Sequence, residues 1–275
     1  MEKKNKKIKL MAIQIGSLIA QKETNIKRVK NILEESLAQK NPDFVFLPEV
    51  WTSGWDCPSF PSCAESFETG DAIFMLKEIA KKYNTNIIGG SLIQKKQNNT
   101  YSNTCPVINR NGTLVGTYEK NHLFSYYGCN ESSYVEVGTK PIIANIDGIK
   151  IGLTICYDIR FPEIYRAYRK AGADILVNMA AWGASKQIPW DCMTKARAIE
   201  NQTYFVALTQ TGTLRDGTKN LGHSMIIDYK GEIIDEIDKI EGFIYAEVDL
   251  DEMYEFQNKC TILNDIKEEY KVEII

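Results

Sequence analysis

Three residues able to do covalent chemistry, Glu49, Lys120 and Cys156, each stand in or just after a short patterned run. Cys156 closes Ile149-Lys-Ile-Gly-Leu-Thr-Ile155, a stretch rich in β-branched and apolar residues that reads as a buried strand. Polar residues, then Pro162 and a helical stretch, follow it. The thiol is therefore expected to be exposed at a sheet's end, near the unpaired N–H groups that open a helix. Glu49 ends Phe46-Leu-Pro-Glu, and Lys120 lies within Tyr118-Glu-Lys-Asn-His-Leu-Phe124. Each alone has a plainer reading, as a strand-end acid, a solvated lysine or a packed cysteine. Together they make chemical sense. A thiol is a poor nucleophile until something takes its proton. A carboxylate can take it when burial raises its pKa towards the working range. Attack on an amide carbon then creates an oxyanion, which an ammonium group and backbone N–H donors can hold.

The rest of the composition narrows the choice. Only His122 and His223 are present, so a Cys-His or Ser-His hydrolase would need one of them, and a histidine-rich metal site is excluded. Both read as structural. The seven cysteines, at 57, 63, 105, 129, 156, 192 and 260, are odd in number and contain no C-x-x-C pair. A disulfide framework and a zinc site are not expected, and most of these thiols read as small buried hydrophobes. No cofactor is called for. The net charge of -3 provides no field for nucleic acid, and the lysines of residues 3–7 read as a solvated tail. No stretch approaches the roughly 18 to 20 apolar residues of a membrane span. A cytoplasmic protein without a membrane partner is expected.

Hydrophobic periodicity sets these residues on alternating strands and helices. Strands are expected at 9–15, 43–47, 86–93, 174–179, 203–210 and 243–248, and helices at 24–38, 70–82, 161–171 and 189–199. Hairpins are expected around Asn111-Gly112, Asp147-Gly148 and Tyr229-Lys230-Gly231. Residues 51–67 read as a rim or lid loop, and the C-terminal remainder as polar and extended. Hairpins mixed with helix-linked strands point to an α/β fold, a four-layer α-β-β-α sandwich of two mixed sheets with helices on the outer faces. One domain over 1–275 is expected, with a basic tail at 1–8 and a C-terminal extension at 249–275.

The motifs around Glu49, Lys120 and Cys156-Tyr-Asp-Ile-Arg-Phe-Pro-Glu163 resemble those of the nitrilase superfamily of carbon–nitrogen hydrolases. Arg197-Ala-Ile-Glu-Asn-Gln202, and Gly222-His-Ser224 followed by Gly231, extend the resemblance over about 9–248. Tyr157, Trp182 and Trp190 are similar to the omega-amidase-like branch. The sequence departs from that branch at Ala181-Trp-Gly183, where relatives often carry Asn-Trp-Pro. The resemblance implies a cysteine thioester mechanism with Glu49 as base, and Lys120 and the Tyr157 N–H as oxyanion donors. It implies a second glutamate to orient the lysine, for which Glu131 is the best match; the plain alternative is a surface acid. The substrate implied is a small omega-amide such as 2-oxoglutaramate. Arg160, aided by Ser185 or Lys186, would receive the far carboxylate, and Trp182 would form a wall; Arg160 could equally brace the turn against Asp158 or Glu163. An N-carbamoyl amidase, a nitrilase and a non-catalytic binding subunit are the alternatives. A homodimer or larger homo-oligomer, paired through the helix after Cys156 and the C-terminal segment, is also implied.

Overall fold

A computed structural model describes residues 6–126, 129–214, 216–267 and 271–274. Residues 1–5, the start of the expected basic tail, lie outside it. The chain runs β1 (Lys7–Gln14), α1 (Lys22–Gln39), β2 (Phe44–Phe46), α2 (Phe60–Cys63), α3 (Asp71–Tyr83), β3 (Asn86–Ile88), β4 (Leu92–Lys95), β5 (Tyr101–Ile108) and β6 (Leu114–Glu119). It continues with β7 (Ile143–Ile146), β8 (Ile149–Ile155), α4 (Pro162–Lys170), β9 (Ile175–Ala180), α5 (Gln187–Asn201), β10 (Tyr204–Thr209), β11 (Ser224–Ile227), β12 (Ile233–Ile237), β13 (Gly242–Asp249) and α6 (Leu250–Lys259).

Two mixed sheets result. One has the order β13-β1-β2-β3-β5-β4, with β6 added on β5; the other is β12-β11-β10-β9-β8-β7. Pairing is parallel at β1–β2–β3 and β8–β9–β10, and the hairpins supply the antiparallel flanks. The period of two along a strand sorts the core. Leu10 and Ala12 of β1, with Phe44 and Phe46 of β2, pack in one cluster with Leu153 and Ile155 of β8. Met11, Ile13 and Val45 belong to another cluster, with Val29 and Leu33 of α1 and Leu76 and Ile79 of α3. Helices α4 and α5 cover the second sheet. Gly152 permits the close approach of α4, since a Cβ there would lie 2.7 Å from the Tyr168 ring. The expected α-β-β-α sandwich is what forms.

Several local expectations need correction. The stretch 86–93 is two strands, because Gly90 takes φ +65° and turns the chain after β3. A Cβ on Gly90 would come within 2.1 Å of the Pro48 carbonyl oxygen. Only glycine lets this bend lie against the turn that carries Glu49, and that turn is further fixed by bonds from Ser91 N–H to the Pro48 carbonyl (3.1 Å) and from Val50 N–H to Ser91 Oγ (2.9 Å). The region 51–67 is not all loop: a helical turn at Cys57–Ser59 leads into α2. The tail ends before Lys7, which pairs with Asp249 in the β1–β13 ladder. The segment after β13 is helical, not extended. The Asp249 carboxylate caps the N–H groups of Asp251 and Glu252, while Leu250 and Met253 are buried in the core.

Replacing Gly90 with alanine should destabilise the fold by more than about 1 kcal/mol and lower activity as well, because the displaced atom is the Pro48 carbonyl. A urea-unfolding midpoint equal to that of the parent would contradict this account of the bend.

Candidate active site

The strands deliver the chemistry-bearing residues to one end of the sandwich. Glu49 follows β2, Lys120 directly follows β6, Cys156 directly follows β8, and Ala181 directly follows β9. Glu49 and Lys120 come from one sheet and Cys156 from the other, so the site is a seam between the sheets at the carboxyl ends of parallel strands, where open α/β sheets offer a crevice.

Lys120, Glu49 and Glu131 are all fully buried. The Lys120 ammonium lies 2.8 Å from Glu49 Oε1, and 3.1 and 2.9 Å from Glu131 Oε1 and Oε2. The Trp55 ring covers it, with 4.8 Å from Nζ to the ring centroid. Glu49 Oε2 accepts the Ala181 N–H at 2.9 Å, and Glu131 Oε2 accepts the Phe124 N–H at 2.7 Å. Gln210, at the end of β10, donates to the Glu49 carbonyl and accepts the Ser17 N–H. Glu131, whose plain alternative was a surface acid, is instead an interior partner of Lys120.

Cys156 opens a helical turn, Cys156–Arg160, that continues directly from β8, so helical N–H groups start at the cysteine itself and not only at α4. Its φ of +46° lies in the left-handed region, and Val50, next to Glu49, has φ +41°. Non-glycine residues held there cost on the order of 1–3 kcal/mol each and persist only where surrounding contacts over-determine them. Those contacts exist. The buried Asp158 carboxylate accepts the Ile155 N–H (2.9 Å), the Tyr118 hydroxyl (2.6 Å) and the His122 N–H (2.9 Å), with His122 Nδ1 also at 2.8 Å. Tyr118 and His122 flank Lys120, so Asp158 clasps the lysine segment to the cysteine turn. His122, stacked on Phe161 with centroids 3.7 Å apart, is part of that clasp. Asp158 is therefore committed to the turn, and no ion pair joins Arg160 to an acid among the described residues.

The thiol is more buried than expected, at 8% exposure, although it still lines a cavity. Burial, and then the charge of Glu49, hold its pKa well above 9.0. Burial also raises Glu49 above 4.5, against the pull of Lys120. Burial alone would lower Lys120, but Glu131 and Glu49 keep it well above 10.5. At rest the site thus holds a protonated thiol beside a carboxylate of raised basicity and a permanent ammonium. That arrangement suits proton transfer from sulfur to carboxylate during attack.

The cavity measures about 620 Å³ and is lined by Trp55, Phe124, Tyr157, Arg160 and Trp182 beside Cys156. The exposed Ser185 and the partly buried Lys186 lie on its wall, on a helical turn at Ala184–Lys186. The Arg160 guanidinium sits 5.3 Å from the Trp182 ring centroid and 5.9 Å from that of Tyr157. Trp182 is pinned by Nε1–H to the Lys186 carbonyl at 2.7 Å. No group of acids, cysteines and histidines that could hold a metal occurs among the described residues.

Sequence reasoning missed Asn103, Trp55 and Gln210. Asn103 is fully buried in β5, and its Nδ2 donates to Glu49 Oε1 (3.0 Å) and to Glu131 Oε1 (3.1 Å) at once. Its signal was present: Ser102, Asn103 and Thr104 form a polar run inside a strand, and buried polar groups demand partners.

Two sheets meeting at a buried carboxylate–ammonium–carboxylate bracket beside a thiol form a site suited to opening a carbon–nitrogen bond. The carbon-nitrogen hydrolase family model matches residues 9–258, and the chain belongs to that family and is an enzyme of it. It is 34% identical to the 2-oxoglutaramate amidase of Bacillus subtilis over 245 residues, 89% of this chain and 92% of that protein. It is 32% identical to the deaminated glutathione amidase of Dictyostelium discoideum over 282 aligned positions, 96% of this chain and 97% of that protein. The crystal structure of Saccharomyces cerevisiae Nit3, a member of branch 10 of the nitrilase superfamily, superposes with a TM-score of 0.85 at 26% identity, covering 92% of this chain and 94% of that one.

Asn103→Leu should lower kcat by about ten- to a hundredfold, the worth of a hydrogen bond to a charged group, with a small change in KM. Loss of a donor to both carboxylates should also move the acid limb of the pH profile upward, which a purely structural role would not do. In the parent enzyme, kcat/KM should fall as pH drops through a Glu49 pKa raised above 4.5, because protonation removes the carboxylate able to accept the thiol proton. No descending limb should appear near 9.0, since neither Cys156 nor Lys120 titrates there. A bell centred below that value would contradict these assignments.

Proposed function

We propose that this enzyme hydrolyses a small omega-amide of a dicarboxylic acid, of the 2-oxoglutaramate kind, through a thioester on Cys156. The carrying observation is the bracket of Lys120 between Glu49 and Glu131, set beside a cavity that holds both Cys156 and the Arg160 guanidinium. Glu49 takes the thiol proton as sulfur attacks the amide carbon. The Lys120 ammonium and the Tyr157 N–H hold the oxyanion. Glu49 returns the proton to nitrogen, and ammonia departs. Water, deprotonated by Glu49, then attacks the thioester; collapse releases the carboxylic acid and returns the proton to sulfur. Glu131 orients Lys120 throughout.

Arg160 suits a far carboxylate because its planar donors pair with both oxygens, and no described acid competes for it. Ser185 and Lys186 stand on the same wall, and Trp182 closes the side. The names of the two amidase relatives support an amide bearing a free acid elsewhere in the molecule. A longer omega-amide is a second reading, favoured by one observation: a cavity of about 620 Å³ is of the size that takes drug-sized ligands.

An ammonia-release screen over omega-amides, carbamoyl amines and nitriles decides the substrate class, with Cys156→Ala as the blank. Arg160→Lys should raise KM for 2-oxoglutaramate about tenfold or more, a loss of at least about 1.4 kcal/mol, and leave amides without an acid group unaffected. An unchanged KM rejects the carboxylate clamp. Carbon dioxide released with the ammonia would mark a carbamoyl substrate instead.

A further inference from the structure

Cys57 and Cys129 lie 3.5 Å apart, sulfur to sulfur, although 72 positions separate them in the chain. Cys57 is buried on the helical turn before α2, and Cys129 is partly exposed. Both belong to a small apolar cluster with Phe60 and Val135 at the rim of the active site. The bearing segments are those that build the lysine cage. Trp55, two residues before Cys57, covers the Lys120 ammonium, and Glu131, two residues after Cys129, grips it.

We propose that Cys57 and Cys129 are a reversible disulfide site at which a peroxide turns the enzyme off. A disulfide needs the sulfurs at about 2.05 Å, so closure requires a movement of roughly 1.5 Å that backbone and rotamers must share. The two thiols also have the asymmetry such a pair needs. The hydrogen bond from Cys57 lowers the pKa of Cys129, while the same bond, and then burial, raise Cys57. The Cys129 thiolate attacks one peroxide oxygen, the O–O bond breaks, and water leaves with the added proton, giving a sulfenic acid. The Cys57 sulfur then attacks the sulfenic sulfur, and its proton departs with the hydroxyl as a second water. Two thiols lose two electrons, and one hydrogen peroxide becomes two waters. Closure draws the Trp55 and Glu131 segments together over Lys120 and displaces the cage. Misplacement of about 1 Å at a catalytic group costs up to about a hundredfold in rate. Cys156 is the poorer peroxide target because its buried thiol is held protonated.

The test treats the full-length enzyme with graded hydrogen peroxide, blocks remaining thiols, and maps peptides without reduction. The expected result is a Cys57–Cys129 linked peptide, with ammonia release from 2-oxoglutaramate falling about ten- to a hundredfold in step with it and returning on treatment with dithiothreitol. Cys57→Ser and Cys129→Ser should each abolish the link and keep turnover in peroxide. The proposal is overturned by absence of the link at peroxide levels that already oxidise the exposed Cys192. It is overturned equally by full turnover in the linked protein, or by serine variants that lose activity as the parent does. The linked peptide is read without substrate, so it stands apart from the amide assigned above.

Discussion

An ammonium group moved from water into a dry interior must find counter-charge and hydrogen-bond acceptors there, or give up its proton. Lys120 finds two carboxylates, and much of the surrounding structure can be read as the means of keeping those three groups together. Two acids and one cation leave a net negative charge, so the carboxylates need further donors. The backbones after β9 and β6 supply the Ala181 and Phe124 N–H groups, and β5 supplies the Asn103 amide. Removing one partner of such a buried set costs on the order of 3–5 kcal/mol, because the remaining charge stays stranded. Burial first, and then the charge of Glu49, keep the neighbouring thiol protonated.

Much of this was legible in the sequence, for identifiable reasons. The apolar runs of β1 and β2, buried on both faces, and the one-sided helical period of α3 were all readable, so the layered architecture followed from patterning. Glu49, Lys120 and Cys156 could be grouped because each sits at the end of such a strand or just beyond it. What escaped was local or contextual. The break at Gly90 depends on the approach of Pro48, a contact between chain segments that no periodicity records. The helix α6 was obscured because its charged residues outnumber the two, Leu250 and Met253, that are buried. Asp158 looked like a partner for Arg160 because the two are near in sequence, whereas its real partners lie on the segment carrying Lys120. Asn103 was hidden by its strand: alternation identifies a buried position but not the carboxylates it faces.

The backbone at Cys156 shows how the site maintains its geometry. Cys156 and Val50 both occupy left-handed conformations that their side chains disfavour. The Asp158 clasp on one side, and Ser91 with the Gly90 bend on the other, hold them there. Two of the chain's left-handed non-glycine residues thus lie in turns at the site, and each turn is braced by hydrogen bonds independent of the substrate.

The seam between the sheets has an evolutionary consequence. Glu49, Lys120 and Cys156 are held at or just beyond strand ends, so they tolerate little drift. Much of the cavity wall opposite them is carried on short connecting segments, with Ser185 and Lys186 after β9, and Leu214, Asp216 and Thr218 after β10. Beyond Ala181 and Gln210 at their starts, which bond Glu49, those segments hold no part of the carboxylate–ammonium bracket. Mutation can therefore resculpt the acceptor side of the cavity while the bond-breaking apparatus is inherited intact. Such a lineage can diversify its menu of amides by small steps, each passing through a working enzyme, and relatives sharing about a third of their residues with this chain carry the names of different amides.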